Sequence, residues 1–188
     1  MEAIMALANK LNLPVIEDCA QAHGARWKGQ IVGAVGTIAA ISTMSGKHHS
    51  SGPQGGLVFS KSEALIQECK RVSDRGKPFF LEGARGVGGN VRAGLNLNSN
   101  DLSAAIGRVQ LRKLEAFVKA RQAVAKGVAA GLAKGGAKAV RLGHVPAGAE
   151  PSHWFLRAHV DVSKLVDGKT KLDFANALAA EGVPVNPE

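Results

Sequence analysis

The sequence has no tyrosine and only two cysteines, and aromatic residues make up only 4% of its 188 positions. So few aromatic side chains argue against an all-β sandwich and against a surface that stacks nucleic-acid bases. Cys19 and Cys69 lack the spacing of a metal site or a disulfide framework, so we interpret them as buried thiols of a reducing compartment. There is no secretory signal and no apolar run of about 18 residues, so we expect a cytoplasmic protein with no membrane partner.

The chain does carry a net charge of +9 and is 45% hydrophobic, which is enough to bury a core. Its positive residues are spread from Lys10 to Lys171 without a dense run. This spread favours a plain solvated surface, and we expect no nucleic-acid partner. The alternative, a basic nucleic-acid binder, would be supported by retention on DNA at moderate salt.

The first 60 residues alternate between helical and strand-like patterns. Helical spacing runs from Ala3 to Leu11, and the run LPVIEDCA then ends in two acids, as a buried parallel strand does at its carboxyl end. TIAAIST and GGLVFS are further runs of this kind. Ser60 and Glu63 have the spacing of a capping box, and the helix behind them should stop before Gly76 and Pro78. These patterns predict an α/β fold.

The middle of the chain, from Phe79 to Asn100, is irregular and rich in glycine and asparagine. Within it GARGVGG, at 83–89, is weak as a phosphate loop, because it lacks the Gly-Lys-Ser/Thr ending and no strand leads into it. A long helix should then begin at Asn100-Asp101 and run to about Ala130.

A break in composition, GLAKGGAKAVR at 131–141, indicates a domain boundary. After it HWFLRAHVDV alternates as a half-buried strand, Leu172 to Ala180 has helical spacing, and VPV begins another strand. We therefore predict a larger domain over residues 1–135 and a fragment of a small α/β domain over residues 136–188.

Two candidate reactive residues follow neighbouring strands. Asp18 lies at the carboxyl end of LPVIEDC, and Lys47 follows TIAAIST, with Ser42 close by. Ligands of open α/β sheets bind outside these carboxyl ends, so the residues can share a pocket. Pyridoxal phosphate needs this combination of groups. Its aldehyde forms a Schiff base with a lysine, and its ring nitrogen needs a carboxylate. Its phosphate needs hydrogen-bond donors, which a hydroxyl and the backbone N–H groups of nearby glycines can supply.

Ordinary structural explanations compete with this interpretation. Lys47 taken alone would be a solvated loop lysine, and Asp18 could simply cap a following helix. Adjacent residues such as His48 and His49 seldom bind the same metal ion, and the sequence shows no third ligand, so we expect no metal site. We interpret His23 as a packed histidine. The arginines at 75 and 92 could hold a substrate carboxylate or sugar phosphate, and the sequence does not choose between them.

Three blocks of sequence resemble the DegT/DnrJ/EryC1/StrS aminotransferases. They are VIEDCAQAHGA, the strand with Ser42 five residues before Lys47 and Gly55-Gly56 after it, and GLNLNSNDLSAAIGRVQLRKLEAF. The resemblance runs from about Leu13 to Val124. It implies the C-terminal half of the PLP-binding large domain of a fold-type I, aspartate aminotransferase-like transferase, plus the start of the small α/β domain.

Carried over by position, the resemblance implies that Lys47 is the catalytic Schiff-base lysine and that Asp18 contacts the pyridinium nitrogen. Gln21 would lie against the cofactor ring or its 3-hydroxyl, and Ser42 would donate to the phosphate. Asn96 would reach the phosphate of a partner subunit, because family sites lie at the interface of a homodimer. The implied reaction moves an amino group from glutamate or glutamine to a keto-sugar nucleotide or a related keto compound.

The sequence also departs from the family pattern. Gly-Pro-Gln-Gly-Gly stands at 52–56 where the family usually has Gly-Glu-Gly-Gly, and Thr43 and Met44 replace aromatic residues. The chain resembles the middle of an aminotransferase, so we expect weak or no activity from it alone. The alternatives are a non-catalytic remnant or dimerisation module, and a PLP-dependent sugar dehydratase. Some of those dehydratases have histidine in place of the lysine, so Lys47 argues against them.

Overall fold

The computed structural model describes residues 1–79, 89–166 and 168–186, which form a mixed α/β structure as predicted. The chain divides into two compact units, the first made of Met1–Arg121 and Ala147–Trp154, and the second of Gln122–Pro146 and Phe155–Glu188. The predicted domain boundary at residue 135 stays a prediction.

The described helices are α1 (Glu2–Lys10), α2 (Glu63–Ser73), α3 (Asp101–Lys134) and α4 (Lys171–Ala180), with a short 3₁₀ helix at Val162–Lys164. The strands are β1 (Ile16–Asp18), β2 (Arg26–Trp27), β3 (Gln30–Ile31), β4 (Ile38–Ser42), β5 (Gly56–Ser60), β6 (Val140–Leu142), β7 (Ala149–Glu150) and β8 (Ala158–Val160).

The first sheet of the first unit has the order β1-β4-β5. Strand β1 runs parallel to β4, as predicted, with Asp18 opposite Ala40. Strand β5 runs antiparallel to β4, with Ser42 opposite Gly56, so the parallel orientation expected for the third apolar run is wrong. The reason is the connection: residues 43–55 contain no helix that could carry the chain back for a parallel crossover.

These strands are also less buried than their composition predicts. Ala39 in the centre of the sheet is fully buried, but Ile16, Leu57 and Val58 are 73%, 54% and 51% exposed. Cys19 is a buried free thiol, as expected, whereas the free thiol of Cys69 is half-buried.

A buried carboxylate fixes the loop that leads into β4. Glu17, in the middle of β1, accepts the backbone N–H groups of Gly33, Val35 and Gly36 at 2.8, 2.8 and 2.5 Å. A Cβ on Gly33 would lie 2.6 Å from the Phe59 ring, and one on Gly36 would lie 2.9 Å from the Val15 carbonyl oxygen. The two glycines therefore let the backbone close around the carboxylate.

We expect Glu17→Gln to lower the free energy of unfolding by about 2–3 kcal/mol, because the amide nitrogen cannot accept a hydrogen bond and leaves a buried N–H unpaired. Urea unfolding measures this loss. The matched control is Glu115→Gln, whose side chain is 80% exposed and pairs with Lys119 on the surface of α3, so its effect should be marginal. Equal effects of the two substitutions would contradict the assignment.

Helix α2 begins differently from the prediction. Ser62, not Ser60, is its N-cap, and its hydroxyl accepts the N–H of Leu65 at 3.4 Å. Ser60 instead donates to the carbonyl oxygen of Thr37 at 2.7 Å, which ties it to the sheet and makes the predicted capping box wrong. The helix ends at Ser73, before the predicted stop signals.

Helix α3 begins at Asp101 as predicted, with the Asn100 side chain accepting the N–H of Ser103 at 2.9 Å. It ends at Lys134, slightly beyond the predicted Ala130. No helix of the described residues is long and apolar enough to cross a membrane. Apart from Gly89, the possible phosphate loop at 83–89 lies outside the described residues.

In the second unit β6 and β8 pair as an antiparallel ribbon, and the predicted helix α4 is confirmed. The strand expected over HWFLRAHVDV is only three residues long, Ala158–Val160. The strand expected at VPV, residues 183–185, is wrong for the described residues. The N–H of Val183 instead bonds to the Leu178 carbonyl oxygen at 3.0 Å, so this residue closes the end of α4.

Candidate functional site

Asp18 and Ser42 lie at the same edge of the first sheet, at the carboxyl ends of two parallel strands. Asp18 ends β1 opposite Ala40, and Ser42 ends β4 two residues further on. Because side chains alternate along a strand, Asp18 and Ser42 project from the same face, on strands about 4.8 Å apart. This is the edge at which the sequence predicted a ligand site.

The loop that carries Lys47 is closed on itself. The N–H of Thr43 donates to the Gly55 carbonyl oxygen at 2.8 Å, the N–H of Ser51 donates to the Thr43 carbonyl oxygen at 2.8 Å, and the Thr43 and Ser51 hydroxyls bond at 2.6 Å. A Cβ on Gly55 would lie 2.5 Å from the Thr43 hydroxyl oxygen, so closure needs a glycine there. Within the loop the N–H of Lys47 donates to the Met44 carbonyl oxygen at 3.0 Å, so the lysine lies on a defined turn.

Three histidines pack around this loop. His23 is fully buried, as a packed histidine should be, and its Nε2 donates to the Ser42 carbonyl oxygen at 2.6 Å. The Nε2 of His49 donates to the Gly107 carbonyl oxygen in α3 at 2.9 Å. His48 is 6% exposed and neither ring nitrogen has a hydrogen-bond partner among the described residues. His49 therefore ties the loop to α3, and His23 ties the segment after β1 to the end of β4.

Burial sets the charge of two of these rings. Burial, reinforced by the nearby Arg121 guanidinium, lowers the pKa of His48 to about 4. Burial also lowers the pKa of His23, against the opposing effect of its hydrogen bond to Ser42. Both imidazoles are therefore neutral at neutral pH, although they lie near the lysine.

The stability of the protein should fall as the pH drops from about 6.5 to about 4, because His48 binds a proton in the unfolded state but stays neutral in the folded state over this range. This group contributes about 2–3 kcal/mol of that loss, and its contribution levels off below pH 4. Urea unfolding at a series of pH values should show a smaller acid loss for His48→Leu than for the wild type. His159→Gln, at an exposed position in the second unit, is the control; an unchanged pH slope in His48→Leu would refute the assignment.

Trp154 is a site residue that sequence reasoning missed. The Lys47 Nζ lies 4.7 Å from the centroid of its ring, and the His48 ring centroid lies 5.2 Å from it. The segment that carries Trp154 joins the first unit through β7, which pairs with β2. Arg121 in α3 donates to the His153 carbonyl oxygen at 3.1 Å. The only sequence signal was the rarity of tryptophan, which occurs twice in the chain.

Most of the hydrogen-bonding capacity of the Asp18 carboxylate is unused within the described residues. Its Oδ1 accepts the N–H of Ala20 at 3.0 Å, and it makes no other hydrogen bond or ion pair with a described residue. No helix follows it directly, so the helix-capping alternative for Asp18 is wrong. Gln21 is exposed in the turn after β1 rather than on a helix.

Asn96 lies apart from these residues, in the exposed stretch before α3. Asn98 donates from its Nδ2 to Asp74 Oδ1 and to Asn96 Oδ1, both at 2.9 Å. Hydrogen bonds from Lys77, Asn98 and Arg75 hold the pKa of Asp74 well below its ordinary value, so its ionised carboxylate only accepts. The Asn98 nitrogen must therefore face Asp74, and this orientation leaves the Asn96 nitrogen free to donate.

The two candidate substrate arginines are both engaged in ion pairs. Arg75 pairs with Asp74 at 2.7 Å, and Arg92 pairs with Glu68. Both guanidinium groups are thus already paired with carboxylates of their own unit.

The family model of the DegT/DnrJ/EryC1/StrS aminotransferase family matches residues 1–187. The chain belongs to this family. The membership confirms the predicted family, which is a family of aminotransferases. Solved structures of aminotransferases superpose on the chain, which confirms the predicted fold class. The roles of Lys47, Asp18, Gln21, Ser42 and Asn96 stay predictions.

Two curated relatives and one solved structure give the extent of the likeness. The chain is 33% identical over 125 residues to GDP-perosamine synthase of Escherichia coli O157:H7, covering 66% of this chain and 33% of the relative. It is 31% identical over 133 residues to dTDP-3-amino-3,4,6-trideoxy-alpha-D-glucose transaminase of Streptomyces venezuelae, covering 71% of this chain and 33% of the relative. The aminotransferase from Psychrobacter cryohalolentis superposes with a TM-score of 0.84 at 30% identity, covering 97% of this chain and 49% of that one. The chain thus matches about a third of each of these curated relatives and about half of that solved structure.

Proposed function

We propose that this chain carries the pyridoxal phosphate site of an aminotransferase that moves an amino group from glutamate or glutamine to a keto-sugar nucleotide or a related keto compound. The supporting observation is a set of groups with unused bonding capacity at one sheet edge. The Lys47 amine has no carboxylate partner among the described residues, and one Asp18 oxygen accepts no hydrogen bond from them. The Ser42 hydroxyl accepts from the Met44 N–H at 3.3 Å and keeps its own proton to donate.

These groups fit the cofactor chemically. Pyridoxal phosphate, when bound, supplies an electron sink for the bonds at the Cα of an amino acid. Lys47 would hold the cofactor through Nζ and then move a proton to and from that Cα. Asp18 would accept the ring N–H through its free oxygen, and Ser42 would donate to the phosphate. Gln21 would lie against the ring or its 3-hydroxyl.

The proposal includes a cytoplasmic homodimer. Asn96 is exposed and has an amide nitrogen left to donate once its oxygen accepts from Asn98. Within the described residues this nitrogen makes no hydrogen bond to Asp18, Gln21, Ser42 or Lys47. We therefore assign it to the cofactor phosphate of the partner subunit. The free thiols of Cys19 and Cys69 suit a reducing compartment.

The test is to incubate the protein with pyridoxal phosphate, ¹⁵N-labelled glutamate or glutamine and a panel of nucleotide keto-sugars, and to analyse the products by mass spectrometry. We expect ¹⁵N in the sugar and 2-oxo acid in equal amount, both dependent on the cofactor. Loss of a hydroxyl from the sugar without amino transfer would show a dehydratase instead. Cofactor binding with neither product would favour the non-catalytic alternative.

A further inference from the structure

The contact between Lys47 and Trp154 differs from similar contacts in this protein. Among the described residues, Lys28 and Lys77 also lie over aromatic rings, at 5.7 and 5.8 Å from the ring centroids. Each of these lysines is also bound to a carboxylate, Lys28 to Glu2 and Lys77 to Asp74. Lys47 lies closest to its ring, at 4.7 Å, and has no carboxylate partner in the described chain. The indole face is therefore the main partner of its ammonium.

Trp154 also has contacts that do not involve the lysine. The buried His48 ring packs against the indole at 5.2 Å between centroids, and the preceding Ser152 is 2% exposed. Arg121 fixes the backbone through the His153 carbonyl oxygen, and His153 itself adopts a positive φ of 51°. A ring fixed by packing and backbone contacts offers a defined position to a side chain on a loop.

The charged and titratable side chains near Trp154 do not oppose the attraction between its ring and the Lys47 ammonium. His48 is neutral, so it places no second positive charge against the indole. Arg121, which lies on α3 close enough to affect His48, donates to a backbone carbonyl oxygen. Lys47 is the lysine that the described residues place over this ring.

We propose that Trp154 is a positioning residue that holds the free ammonium of Lys47 whenever this amine is not attached to a cofactor. A neutral amine loses the cation–π attraction, so deprotonation releases Nζ from the ring towards the sheet edge where Asp18 and Ser42 lie. The part of this inference that concerns turnover rests on the proposed function; the contact itself does not.

The first test uses the protein without cofactor. In a Trp27→Phe background Trp154 is the only tryptophan, so its fluorescence reports the contact directly. We expect Lys47→Gln to change the emission, and Lys61→Gln, at an exposed position just after β5, to leave it unchanged. Acetylation of Lys47, followed by mass spectrometry, should be about threefold to tenfold faster in Trp154→Leu than in the wild type, with Trp154→Phe in between.

The second test uses the enzyme with pyridoxal phosphate. Trp154→Leu should lower kcat for amino transfer severalfold while the KM for the amino donor changes less than twofold, and Trp154→Phe should restore much of kcat. An unchanged emission in Lys47→Gln, or equal acetylation rates in all Trp154 variants, would overturn the inference even if amino transfer is found. If no amino transfer is found, the cofactor-free test still decides on the contact, so the two failures are distinguishable.

Discussion

Replacing Lys47 with alanine is expected to reduce the amino transfer of the wild-type chain, however weak that is, to below detection. On the proposed function, Lys47 would be both the amine that attaches the cofactor and the base that moves the Cα proton, and no neighbouring group would replace both. The fold should be retained, because the Lys47 side chain contributes only its contact with the Trp154 ring and the loop is closed by hydrogen bonds of Thr43, Ser51 and Gly55. Steady-state kinetics with a glutamate donor measures the loss.

Lys61→Ala is the matched control for Lys47→Ala. Lys61 is an exposed lysine in the same unit, just after β5. It should keep kcat within twofold of the wild type. Comparable activity of Lys47→Ala and Lys61→Ala would mean that another residue attaches the cofactor.

Asp18→Asn is expected to reduce kcat/KM about a hundredfold with little change in stability. Asparagine has nearly the same shape and can still accept the N–H of Ala20 through its Oδ1. It cannot supply the negative charge that keeps the ring nitrogen protonated, and losing a charged hydrogen bond costs about 2–3 kcal/mol. Steady-state kinetics and urea unfolding on the same variant separate the two effects.

Asp101→Asn controls for the loss of one negative charge in Asp18→Asn. Asp101 is exposed in the first turn of α3 and has no predicted role in the site. Its substitution should leave kcat/KM within about twofold. A fall of the same size in both variants would indicate a general charge effect and remove Asp18 from the site.

The parts of the fold that follow from local spacing were predictable from the sequence. Helical periodicity located α1, α3 and α4, and the apolar run before Asp18 located β1. The common edge of Asp18 and Ser42 followed, because parallel strands bring their carboxyl ends together. The choice of Ser62 over Ser60 as the cap of α2 was not predictable, because a hydrogen bond from Ser60 to a distant strand residue decides it.

The surroundings of Lys47 depended on contacts between distant segments. Lys47 itself stood out because a strand, a serine and glycines flank it in the sequence. Trp154 reaches it only because β7 pairs with β2 and Arg121 anchors the adjacent backbone. No periodic pattern encodes such a pairing, and a pair of adjacent histidines gave no sign that His48 would be buried against an indole.

The central claim is that Lys47 holds pyridoxal phosphate, and reductive trapping tests it most directly. The protein is incubated with the cofactor, reduced with sodium borohydride, digested, and searched by mass spectrometry for the phosphopyridoxyl group. We expect the group on the peptide that contains Lys47, with saturation at one per chain, and no specific labelling in Lys47→Ala. Labelling chiefly at another lysine, or undiminished labelling in Lys47→Ala, would contradict the claim.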